Sequence, residues 1–131
     1  MTKKTKKVKL QSEERPERSD GIRVREVLNE EQFAKELWDA EDQLVVVQFT
    51  AKWSVPYPNL AARFRVLSEM YSHALFLKVD ADKCKETANN LEIYFTPTFV
   101  LYRDQELLEI IRGPDMKSLE LYIAVHYGAP Y

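Results

Sequence analysis

A chain of 131 residues is about one domain long, with room for one core and not for two. Its 45% hydrophobic and 31% charged residues, with three glycines and one cysteine, exclude a collagen, a disulfide framework and a wholly disordered chain. The net charge of −2 is unevenly spread: residues 1–20 carry seven cationic and four anionic side chains, net +3, which leaves −5 for the remainder.

Those first residues hold almost no large apolar side chains, so they are expected to form a disordered basic tail, with the folded domain spanning 21–131. Lys3, Lys4, Lys6, Lys7 and Lys9 suit an acidic surface such as RNA, anionic lipid or a polyanionic filament; a solvated tail that aids solubility is the other reading. No apolar run approaches the roughly 20 residues of a membrane span, and no secretory signal is read at the start. Cys84 has no second cysteine to pair with, which fits a reducing, cytoplasmic setting.

From Ile22 the pattern changes. IRVREV alternates apolar and charged residues, as a half-exposed strand does. In LNEEQF, Asn29 reads as a helix N-cap, Gln32 as the side chain reaching back, and Leu28 with Phe33 as a hydrophobic staple. Phe33, Ala34, Leu37 and Trp38 then give the helix one apolar stripe. QLVVVQF, residues 43–49, does not alternate, so it is predicted to be a central strand covered on both faces.

After the loop AKWSVPYPN, Leu60, Phe64, Leu67 and Tyr71 recur at helical spacing, with Ala61 alongside. Pro58 is compatible with the first turn of that helix, and Ser54 with its start. ALFLKVDA reads as a second buried strand, and Asp82 as the N-cap of a short helix running to Leu91. PTFVLYRDQELLEII predicts a hairpin turning at Asp104 and Gln105 without the preferred glycine. Gly113 and Pro114 end it, and Met116, Leu119, Ile123 and Tyr127 line a terminal helix. Strands alternating with helices predict a three-layer α/β/α domain around a central sheet.

Three segments, VVVQFTAKWSVPYPN, LSEMYSHALFLKVDADKC and YFTPTFVLYRDQE, resemble the thioredoxin family, and above all its animal-type members, over residues 22–127. The resemblance implies the thioredoxin fold with a mixed sheet. Family chemistry is thiol–disulfide exchange: a thiolate at a helix N-terminus attacks, and a second thiol three residues later resolves the mixed disulfide. Here the attacking position is Ser54, the glycine is Val55, the proline is Pro56 and the resolving position is Tyr57. The family's buried acid falls at Gln48, whose amide does not titrate.

A serine nucleophile needs an adjacent base, and neither His73 nor His126 lies on a segment expected to approach Ser54. The docking apparatus is matched better. Pro97 falls on the family's cis-proline, beside which an extended peptide pairs, and Trp53, Pro56, Tyr57, Thr96 and Gly113 fall on or beside the peptide groove. Fold maintenance is an equal reading for Pro97. Tyr57 either turns outward as a contact or fills the groove. Cys84 is either a packing residue or a thiol activated by the helix start beside it.

The expectation is therefore a redox-inactive, thioredoxin-like protein-binding module with no cofactor and no metal, and not an enzyme. By analogy with relatives of this kind it is an adaptor or structural subunit of a larger assembly, cytoskeletal or ciliary. The alternative is a one-thiol redox protein acting through Cys84, or a thioredoxin-related oxidoreductase role.

Overall fold

The computed structural model describes residues 23–54 and 56–128, so the expected tail of residues 1–20 lies outside the described residues. Strand β1 is Val24–Val27, helix α1 Glu30–Ala40, β2 Val45–Thr50, α2 Leu60–Met70 and β3 Leu75–Asp80. Helix α3 is Lys85–Asn90, β4 Thr98–Arg103, β5 Glu106–Arg112 and α4 Met116–Tyr127. The sheet order is β1-β3-β2-β4-β5. Strands β1, β3 and β2 are parallel, β4 runs antiparallel to β2, and β5 antiparallel to β4.

The unbroken apolar run of β2 follows from its central place: Val45, Val47 and Phe49 point into one core and Val46 into the other. The first core brings Phe33 and Ala40 of α1 and Ala88 of α3 onto the sheet, with the Phe33 ring edge-on to Phe49 and Tyr102. In the second, Phe64 and Leu67 of α2 meet Met116, Leu119 and Ile123 of α4, and the Phe64 ring lies edge-on to Phe76 and tilted against Phe99. Helices α1 and α3 thus cover one face and α2 and α4 the other, the three layers read from the element order.

The hairpin turns where expected. Asp104 and Gln105 both take left-handed conformations, φ 54° and 64°, as a two-residue connection between twisted strands requires. The terminal helix buries Met116, Leu119 and Ile123, with Asp115 as its cap.

Several local expectations are corrected. In α1 the buried face is Phe33, Glu36 and Ala40 with Leu37 beside it, while Ala34 and Trp38 are exposed. Glu36 is drawn inward because Arg25 of β1 pairs with it at 2.7 Å. Asn29 does cap α1 through the Gln32 N–H, but Gln32 Oε1 accepts from Leu28 N, one residue before the cap. Leu28 stays exposed and does not staple. Ala61 is exposed too.

Asp82 does not cap α3. That helix starts three residues later, and its first N–H groups are satisfied from α1: the Glu30 carboxylate accepts from Glu86 N at 2.7 Å, Thr87 N at 3.3 Å and Thr87 Oγ1 at 2.6 Å. Neither Ser54 nor Pro58 belongs to a helix, because α2 begins only at Leu60. Tyr57 precedes Pro58, whose ring disfavours helical backbone in the residue before it; the Leu60 N–H donates to the Tyr57 carbonyl at 3.3 Å in a turn, and the helix follows that turn. Asn59, with φ 64°, redirects the chain into α2.

Candidate functional site

Topology gathers one set of loops at one end of the sheet. The parallel strands β2 and β3 finish there at Thr50 and Asp80, antiparallel β4 starts there at Thr98, and β5 ends there at Arg112. Residues 51–54 and 56–59, Asp82, the Thr96–Pro97 segment and Gly113 are therefore neighbours, although up to 62 positions separate them in sequence.

Hydrogen bonds lock these loops together. Ser54 Oγ donates to the Thr96 carbonyl oxygen at 3.3 Å, and Trp53 Nε1–H donates to Asp82 Oδ1 at 3.1 Å. Gly113 N–H donates to the Pro97 carbonyl at 2.9 Å, and Thr98 Oγ1 to the Phe95 carbonyl at 2.9 Å. The Thr96–Pro97 peptide is cis, and both residues are buried. Gly113 has φ +99° with open space where a Cβ would stand, so backbone conformation and not crowding calls for glycine.

What this end shows to solvent is aromatic. Trp53 is 58% exposed, Tyr57 41% and Phe95 49%, with Pro56 exposed between the first two. Tyr57 is exposed and belongs to neither core. Phe95 and Asp82 were not singled out as site residues from the sequence. A phenylalanine directly before Thr96 in a loop was the available signal for Phe95; Asp82 carried an equally good capping signal.

Gln48 lies beneath, buried on the α2/α4 side of β2, opposite Lys78 of β3 and Phe99 of β4. Its amide has no hydrogen-bond partner among the described residues, and it offers no proton acceptor that titrates.

Cys84 lies apart, in the core on the other side of the sheet, with its side chain fully buried. Burial, with the Glu30 and Asp80 carboxylates adding to it, pushes the thiol up from 9.0 to about 11. This is the reverse of activation by a helix start: burial raises the thiol first, and Glu30, whose carboxylate accepts from the first N–H groups of α3, adds a negative charge there. His126 pairs with Glu109 at 2.9 Å on β5, and His73 is exposed beyond the end of α2. Among the described residues no group of three or more His, Cys, Asp or Glu is placed to hold a metal, and no helix is long and apolar enough to cross a membrane.

The sequence model of the family described as Thioredoxin matches residues 24–124. Human thioredoxin is 34% identical over 100 residues, which is 76% of this chain and 95% of that protein. Human thioredoxin domain-containing protein 2 is 35% identical over 102 residues, 78% of this chain, but the chain spans only 18% of that protein's length. Among solved structures, reduced Schistosoma mansoni thioredoxin superposes with a TM-score of 0.74 at 32% identity, covering 80% of this chain and 99% of that one.

Proposed function

Because the chain belongs to the thioredoxin family, we propose that it uses the family's loop end to hold another protein without reducing it, as an adaptor or structural subunit. The observation that carries this reading is the Ser54 hydroxyl bonded to the Thr96 carbonyl while Tyr57 stands exposed. Where exchange needs an attacking thiolate and a resolving thiol, there is a hydroxyl already donating its proton and a phenol facing water. No mixed disulfide can form or be released at such a pair.

The same end is suited to binding. Trp53, Tyr57 and Phe95 offer large, stiff apolar faces whose burial costs little side-chain entropy, as interface anchors do. The bonds Ser54–Thr96, Trp53–Asp82 and Gly113–Pro97 support them by fixing the loops in advance. The lysine-rich first residues serve as a second attachment, to an acidic filament or RNA. The setting we favour is cytoplasmic, in a cytoskeletal or ciliary assembly, supported by analogy with relatives of this kind and by a lone cysteine that needs no oxidising compartment.

The one-thiol alternative through Cys84 has no comparable support, since a buried thiol raised to about 11 is neither ionised nor reachable at neutral pH. The test is reduction of insulin disulfides by the full chain in the presence of thioredoxin reductase and NADPH. The expected rate is that of the reductase without the chain; turnover well above it, or turnover that Cys84→Ser abolishes, overturns the proposal.

A further inference from the structure

Helix α2 carries an outward row that the fold does not use. Its inner face buries Phe64, Leu67 and Ser68 against the sheet. On its outer face Ala62, Val66 and Met70 recur every four residues and are all exposed, Val66 at 49% and Met70 at 57%. Such a spacing is one continuous ridge inclined to the helix axis, the feature that fits the groove between side-chain rows of a second helix. The small Ala62 at one end lets a partner approach closely, and Met70 at the other adapts to its surface.

Charge specifies the partner further. At about 100° per residue, Arg63 and Arg65 fall on opposite sides of the ridge. Both are exposed. Arg65 reaches Glu69 only at 4.0 Å with both side chains well exposed, a contact worth little, and Arg63 has no ion-pair partner among the described residues. The outer face of α2 thus carries Arg63 and Arg65 against Glu69, net +1, on a domain whose net charge is −5 over residues 21–131. A second copy of the chain is disfavoured as occupant, since it would bring together two faces of the same net sign.

We propose that the α2 ridge Ala62–Val66–Met70, with Arg63 and Arg65 beside it, docks an amphipathic helix of another protein whose apolar row is flanked by carboxylates. This surface is separate from the aromatic loop end and does not depend on it. The carboxylates meet the guanidiniums in fork-like pairs, which fix the register of the helix along the ridge.

The probe is a pair of synthetic helical peptides of about 18 residues with leucines at i, i+3, i+4 and i+7, one flanked by Glu and one by Lys. Each is titrated into the full-length, isotope-labelled chain at about 50 mM salt, where exposed charges are weakly screened. The Glu peptide is expected to shift the amides of residues 60–70 and to bind at least about tenfold tighter than the Lys peptide. The Val66→Asp/Met70→Asp variant should weaken it by about tenfold or more, and Arg63→Glu/Arg65→Glu should reverse the preference. Leu121→Asp/Val125→Asp, on the other exposed apolar helix face, should change nothing. Thermal unfolding of each variant separates lost docking from lost folding. Equal affinity for the two peptides, no binding, or shifts centred on α4 or the loop end overturns the proposal, while leaving the loop-end reading to its own assay.

Discussion

The thiol of Cys84 sits at the start of α3 beneath the Glu30 carboxylate, and burial first, then Glu30 and Asp80, raises it from 9.0 to about 11. A thiol raised on folding binds its proton more tightly in the native state than in the unfolded chain. Its contribution to stability is therefore fully present below pH 9 and is lost as pH climbs toward 11. Tyr102, pushed by burial from 10.0 to about 12, acts in the same direction somewhat higher. Urea unfolding measured from pH 7 to pH 11 should show midpoints that fall above pH 9, and Cys84→Ala should flatten the part of the fall between 9 and 11 while lowering stability near pH 7 through the lost core volume. The same variant, if left with the parental pH dependence, would show that the thiol is not held protonated by its site. A thiol-labelling reagent at pH 8 should correspondingly modify the native chain far more slowly than the urea-unfolded chain.

At the scale of elements, the displaced start of α2 matters more than the loss of sulfur alone. A helix N-terminus lowers the pKa of a thiol placed on it through its unpaired N–H groups and aligned peptide dipoles. Here the helix begins at Leu60, six residues beyond Ser54, with Pro58 disfavouring helical backbone at Tyr57. Restoring both sulfurs as Ser54→Cys/Tyr57→Cys should therefore give a first thiol titrating near an ordinary value of about 8.5, where a helix start would bring it to about 7 or below. Insulin reduction by this variant should stay far slower than by human thioredoxin, and adding Pro58→Ala should raise it; a thiol titrating near 7 in the double variant would sink the argument. Elements whose pattern is local were legible: the apolar run of β2, the Asp104–Gln105 turn, the inner face of α4. What escaped depended on partners far along the chain. Glu36 is buried in α1 because Arg25 lies in the neighbouring strand, and α3 is capped by Glu30, 56 residues earlier in sequence. Neither has a signature in spacing. The late start of α2 did have one, the Tyr57–Pro58 pair, outweighed by the fact that proline alone suits a first turn.

Across the whole molecule, charge separates by position: net +3 on residues 1–20 and net −5 on the remainder, with five of the seven cations of the first stretch packed between Lys3 and Lys9. Attraction to a polyanion falls on that stretch and is opposed by the domain as a whole, so binding should be electrostatic, indifferent to nucleotide sequence and steeply salt-dependent. If the five lysines each neutralise a phosphate, the logarithm of affinity for double-stranded nucleic acid falls against the logarithm of salt with a slope of about −4 to −5. On a polyphosphate or heparin column at low salt, the full chain should be retained and a chain lacking residues 1–20 should flow through. Changing the five lysines to glutamine should match the deletion, which distinguishes a charge effect from mere length of chain. Retention that survives both changes would move the contact onto the folded domain, where the outer face of α2 with Arg63 and Arg65 is the one positive surface argued above. Retention by neither form, at salt low enough that screening extends over about 30 Å, would leave the lysines with a solubility role and no second attachment.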